Sequence, residues 1–188
     1  MKKIVLFVFT LVSGVIFAQR SNDALSIHAK AGIMKGKGEL IKDVAGSANL
    51  GLQWFAGEKG FFIEGGFLLQ DFQIKHEELN IDIPYTMYGI NVMGGWSFED
   101  LNPLFLNAKI GGFAGYYIAN KGEEKEAVYG TNLPEVKGIT YGAMASAEAE
   151  IVIWRRLSGV ASFSQYFYPN DKWIRWNYAI EAGFKFYL

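Results

Sequence analysis

Residues 175–188 read RWNYAIEAGFKFYL, and their spacing decides the fold. Trp176, Tyr178, Ile180, Ala182, Phe184, Phe186 and Leu188 fall on one side of an extended chain. Arg175, Asn177, Ala179, Glu181, Gly183, Lys185 and Tyr187 fall on the other. A period of two marks a strand with one apolar face; wound as a helix, the same residues would scatter charge around the cylinder. The chain closes on Phe184, Phe186 and Leu188, an alternating apolar end like the terminal strand read by outer-membrane assembly machinery.

Working back toward the N-terminus, the same alternation recurs in seven more segments: residues 25–33, 49–56, 61–70, 85–98, 104–118, 139–153 and 157–167. In the first, Leu25, Ile27, Ala29, Ala31 and Ile33 oppose Ser26, His28, Lys30 and Gly32. In the third, Phe61, Ile63, Phe67 and Leu69 oppose Phe62, Glu64, Gly66 and Gln70, while Phe55 in the second is out of phase. The connections alternate as well. Residues 35–47, 71–83, 119–138 and 168–174 are long; residues 57–60, 99–103 and 154–156 are short. Segregation of tight turns to one end and loops to the other is the pattern of a membrane barrel, whose strands need about 9–11 residues to cross.

Composition agrees. The 188 residues include 22 glycines, well above the usual ~7%, and 16% aromatics with only four prolines. Lys and Arg (18) nearly balance Asp and Glu (19), which argues against nucleic-acid binding through bulk charge. There are no cysteines, so disulfide scaffolds, thiolate metal sites, cysteine nucleophiles and lipid-anchor cysteines are excluded.

The N-terminus carries an address. Met1-Lys2-Lys3 is followed by an uncharged run from Ile4 to Ala18, then Gln19-Arg20. A basic start, an apolar stretch too short for the ~20 residues of a spanning helix and a small residue at the cut predict a cleaved signal peptide over 1–18. The barrel domain is then 19–188, and loss of Lys2 and Lys3 takes the formal charge from −1 to −3.

The fold expected is all-β: an eight-stranded antiparallel up-and-down transmembrane β-barrel in the bacterial outer membrane, with the apolar faces toward lipid. Eight strands leave a lumen that side chains fill. The polar faces would therefore form an internal charge network of Lys30, Lys109, Arg175 and Lys185 with Glu64, Glu148, Glu150 and Glu181. Buried charge costs several kcal/mol per ion unless paired, so the balance of four against four is required. Inward Gly66, Gly89, Gly111 and Gly142 would give long side chains room and let the sheet curve. No open pore is expected.

Aromatics mark two interfaces. Trp54, Trp96 and Trp154 lie at the short-turn ends, and Tyr116, Tyr117, Phe167, Tyr168, Trp173 and Trp176 at the long-loop ends. Trp54, Trp96, Tyr116 and Trp176 are the girdle positions; Trp154 is out of phase and belongs to its turn.

Catalytic patterns are absent: there is no Gly-x-Ser-x-Gly elbow, no His-Glu-x-x-His pair and no phosphate loop around Gly36-Lys37-Gly38. Glu148 and Glu150 read as partners for lumen cations rather than a carboxylate dyad, and His28 as a packed lumen residue without a nucleophile to serve. No catalytic residue, metal or cofactor is expected. The charged stretch at 120–126, with Lys121, Glu123, Glu124, Lys125 and Glu126, is the candidate partner loop, since long loops carry most binding.

Several stretches together resemble one family. They are Gln19-Arg20, Ala29-Lys30-Ala31-Gly32-Ile33-Met34, Ile110-Gly111-Gly112 with Ala114-Gly115-Tyr116, and Tyr141-Gly142-Ala143 leading to Glu148-Ala149-Glu150. Arg155-Arg156 and Ala182-Gly183-Phe184-Lys185-Phe186 complete the set. With the length and leader, they make the chain similar to the TraO proteins encoded in the transfer operons of conjugative transposons. The resemblance implies a structural outer-membrane part of a conjugative DNA-transfer apparatus, touching lipid and other transfer proteins but neither nucleic acid nor a small-molecule substrate. It carries no catalytic residues. The alternatives are a free-standing small barrel for adhesion or envelope integrity, and an exported soluble calycin-like ligand binder with an apolar lumen and a wet exterior.

Overall fold

The computed structural model describes residues 24–36, 45–56, 60–76, 81–101, 103–124, 136–171 and 173–188. Eight strands run in order: β1 (Leu25–Gly36), β2 (Gly46–Phe55), β3 (Phe61–His76), β4 (Ile81–Phe98), β5 (Leu104–Ala119), β6 (Lys137–Trp154), β7 (Leu157–Phe167) and β8 (Trp176–Tyr187). Each pairs antiparallel with its sequence neighbours, and β8 returns to β1, closing the barrel with no free edge. The signal peptide predicted over 1–18 lies outside the described residues.

Parity sets which side chains face inward. Along β5 the burial alternates from Leu104 to Ala119, with Phe105, Asn107, Lys109, Phe113 and Tyr117 buried and Leu106, Ile110 and Tyr116 exposed. The exposed face is the greasy one: Phe67 is 70% accessible, Ile110 71% and Ile139 73%, whereas Glu64, Glu150 and Lys185 are fully buried. Such a surface is incompatible with the soluble calycin alternative, which requires the opposite arrangement.

Two details differ from the sequence expectation. Residues 71–83 read as a long loop, but β3 and β4 stay paired out to His76↔Ile81, leaving only four residues between the strands. Strands of 16 and 18 residues, at about 3.3 Å per residue, outrun an apolar band ~25 Å tall, so this hairpin rises beyond the belt. There neither face needs to be uniformly apolar, and the alternation fades. The second difference is a register shift in β6 between Val152 and Trp154, a bulge that swings Trp154 out to 73% exposure.

Inward glycines allow close approach between strands. A Cβ on Gly142 would sit 1.8 Å from the Phe167 carbonyl oxygen and 2.8 Å from the Phe113 ring, its direct cross-strand neighbour. Gly95 is covered in the same way by Phe62, whose ring would lie 2.4 Å from an added Cβ. Each ring occupies space its partner lacks, which shields a glycine backbone and fixes the register.

Candidate functional site

Among the described residues the lumen carries side chains in layers of different chemistry. Nearest the short turns, Ala24, Phe55 and Phe62 cluster with Tyr187, the two phenyl rings 5.3 Å apart. Phe55 and Phe62, both on polar faces by parity, are there because this end of the lumen is stoppered with hydrocarbon.

Above them lies an ion cluster of three lysines and three glutamates, with Glu148 at its centre. Lys30, Lys109 and Lys185 all reach Glu148, at 3.1, 2.8 and 2.8 Å. Lys109 also binds Glu64 at 2.9 Å and Lys185 binds Glu150 at 2.8 Å, while Lys30 lies 3.8 Å from Glu64. Neutral donors complete the shell: Asn107 Nδ2 donates to Glu148 at 3.1 Å and Glu150 at 3.4 Å, and the Tyr187 hydroxyl donates to Glu150 at 2.5 Å. His28 Nε2 is 2.9 Å from Asn49 Oδ1 and 3.7 Å from Glu64. Some of these bonds cross the lumen, joining β1 to β6, β3 to β5 and β6 to β8; Lys109 and Asn107 reach Glu148 from the adjacent strand β5, and His28 meets Asn49 on the adjacent β2. The carboxylates of Glu64, Glu148 and Glu150 are each held by lysine, in the geometry of a structural tie.

Six of the eight residues expected in this network are in it. Arg175 is not: it is exposed at a bend just before β8, where its carbonyl accepts from the Tyr168 amide at 3.0 Å. Strand parity stops orienting side chains once pairing ends, and the last β7–β8 pair is Phe167↔Trp176. Glu181 is buried but higher in the lumen, accepting from the Ser47 hydroxyl at 2.9 Å.

The upper half has a different filling, which sequence reasoning missed. Met34, Leu68, Met87, Met93, Phe113 and Met144 pack with Tyr85, Tyr117, Tyr166 and Tyr168 into one cluster. Tyr85 stacks on Tyr117 at 5.3 Å, and Phe113 meets Tyr168 edge-on at 4.8 Å. Tyr117 and Tyr168, expected at the interface, thus point inward. The signal was available: these rings and thioethers sit in phase with the polar face, the four tyrosines and Phe113 nearer the loops than the turns, while Met93 lies at the seam as the cross-strand partner of Glu64. The β7–β8 connection folds over this cluster. Asp171 accepts from the Tyr85 hydroxyl at 2.5 Å and from the Trp173 amide at 2.8 Å, and the Tyr168 hydroxyl donates to Gln70 at 2.6 Å.

Outside, Trp54, Trp96, Tyr116 and Trp176 each project outward, with 42–47% of their surface accessible. Trp54 and Trp96 lie toward the short turns, Tyr116 and Trp176 toward the loops. In the candidate partner loop, Lys121, within the turn Asn120–Gly122, and Glu123 and Glu124, just after it, are exposed; Lys125 and Glu126 lie outside the described residues. Among the described residues no cluster of three metal-ligating side chains occurs.

No known protein family matches the sequence, and no curated protein does. Solved structures do match its shape. Neisserial surface protein A is similar with a TM-score of 0.62 at 9% identity, over 86% of this chain and 96% of that one. A major outer membrane protein from Thermus thermophilus gives 0.62 at 10% identity, over 89% and 100%. Ail, the attachment invasion locus protein of Yersinia pestis, gives 0.52 at 14% identity, over 88% and 100%. At such identities the likeness concerns the fold, which is that of small eight-stranded outer-membrane barrels.

Proposed function

We propose that this chain is a non-catalytic barrel of the bacterial outer membrane, exported by its first eighteen residues, held in lipid by its outer belt and acting through its rims. The observation that carries this reading is the inversion of polarity, with large apolar side chains outside and three lysines paired with three glutamates sealed within. Clusters of rings toward both ends of the lumen favour the rims over the interior as the working surface. The short-turn rim would face the periplasm and the long-loop rim the exterior.

The finer role we favour is a free-standing envelope or adhesion protein. Its support is analogy: the shape is shared with barrels described as a surface protein and an attachment invasion locus protein. A second reading, membership of a conjugative transfer apparatus, rests on the TraO-like stretches around Ala29–Met34, Gly111–Tyr116 and Ala182–Phe186. Two measurements separate the levels of the claim. Unboiled protein in detergent should migrate differently from boiled protein and partition with the outer membrane, its mature chain starting at Gln19; identical migration and release by osmotic shock would refute the barrel reading. Deletion should then lower surface attachment or raise detergent sensitivity while leaving conjugative transfer frequency unchanged. A fall in transfer alone would select the second reading.

A further inference from the structure

The short-turn rim is not uniform. The β4–β5 turn carries Glu99 and Asp100, whereas the two-residue β6–β7 turn carries Arg155 and Arg156, both exposed. The bulge before Trp154 throws its indole outward, and the Tyr187 amide donates to the Arg156 carbonyl at 2.8 Å, tying the turn to the end of β8. Between them lies a cleft of about 350 Å³, lined by Trp154, Arg155, Arg156, Leu157 and Phe186. Leu157 and Phe186 are cross-strand partners whose outer sides continue into the lipid-facing belt.

We infer that this cleft binds one anionic glycerophospholipid at the membrane boundary, its phosphate on Arg155 and Arg156 and an acyl chain along Trp154, Leu157 and Phe186. This inference deepens, and rests on, the reading of the chain as a membrane barrel. Two guanidinium-bearing residues lining one cleft supply the charge and the paired donors that a phosphodiester takes. A bare inorganic anion leaves the apolar walls unused: the cleft is about ten times the ~30 Å³ share of one water molecule. A hydrocarbon chain fits those walls, and their continuity with the belt places that chain where lipid already is. The turn is preorganised for it, because a two-residue connection pinned at Arg156 gives up little freedom on binding.

The test uses the full barrel in detergent, with native mass spectrometry of bound lipid. Wild type should retain a single phosphatidylglycerol about tenfold more than phosphatidylcholine of the same chains. The double variant R155Q/R156Q, which keeps its heat-modifiable migration, should hold both at the phosphatidylcholine level. Equal retention of the two lipids by wild type, or an undiminished preference in the variant, overturns the site. So does displacement of phosphatidylglycerol by equimolar inorganic phosphate, which would make it an anion site without lipid character. In bilayers whose phosphatidylglycerol carries brominated acyl chains, the wild type should lose more tryptophan fluorescence than W154F. W154F keeps four tryptophans, of which Trp54, Trp96 and Trp176 project outward: if its fluorescence escapes quenching altogether, it is the membrane reading that fails, not the cleft alone.

Discussion

The two halves of the lumen fill the same kind of space with opposite chemistry. Toward the short turns, Lys30, Lys109 and Lys185 span the interior to Glu64, Glu148 and Glu150; toward the loops, tyrosines, phenylalanines and methionines pack by shape. Ion pairs sealed from water are directional, so each fixes a particular height of one strand against another across the barrel. Ring packing is adaptable, and it tolerates the less regular backbone where strands run into loops. The difference teaches where this barrel is rigid by specification and where by density. It also implies different modes of failure: the ionic half should break abruptly when one partner is lost, the aromatic half by degrees.

Removing the hub separates the two most sharply. Glu148→Gln keeps the volume but leaves three buried lysines facing two carboxylates, and loss of one member of a buried ion pair costs about 3–5 kcal/mol. The urea midpoint of the folded, heat-modifiable band should fall further than for any other single substitution in the lumen. An unshifted midpoint would mean that the cluster is hydrated and screened, and that the ionic half is not what holds the register.

Phe113→Ala probes the other half. The ring packs against Tyr166 and Tyr168 and covers Gly142, so its removal opens a cavity and bares a glycine. A loss of about 3 kcal/mol is expected, with Phe113→Leu recovering much of it because hydrocarbon of similar bulk can repack. That graded series is the opposite of the all-or-none response expected at Glu148; if Phe113→Leu is as damaging as Phe113→Ala, the upper half is as exacting as the lower.

A smaller effect is confined to the cover of the upper half. Tyr85→Phe removes the hydroxyl that donates to Asp171 and leaves the ring stacked on Tyr117. A hydrogen bond to a charged group contributes about 1.5–3 kcal/mol, felt here as local opening. Amide exchange at Trp173 and Ile174 should speed up while exchange along β5 and β6 stays unchanged. Equal acceleration everywhere would show that the cover and the barrel unfold as one unit.

The barrel, its inside and its outside were legible because the period of two runs through most of each strand inside the lipid belt. The division by height was not, because the polar face was read as one set of residues. Height comes from register, and register is a pairing between strands that one strand's alternation does not contain. Counting from the tight turns recovers it: Glu64 sits near the β2–β3 turn, Lys109 near β4–β5, Glu150 near β6–β7, and all meet the same layer. Tyr166 and Phe113 lie farther from those turns, and they meet the layer above. The lipid cleft was invisible for another reason, since the bulge at Trp154 breaks the very pattern being followed.

Arg175 gives the smallest effect and the cleanest check of that logic. It shares parity with Lys185, ten residues further along, and alternation alone assigns both to the lumen. Pairing stops at Trp176, however, and the guanidinium is exposed while the Lys185 ammonium is held by two carboxylates. Arg175→Ala should therefore leave the urea midpoint unmoved within its error, and Lys185→Ala should lower it nearly as far as Glu148→Gln. A matching fall in both would place Arg175 inside after all and return the whole polar face to a single network. Indifference to both would remove the ionic half of the comparison and leave the barrel held by its rings.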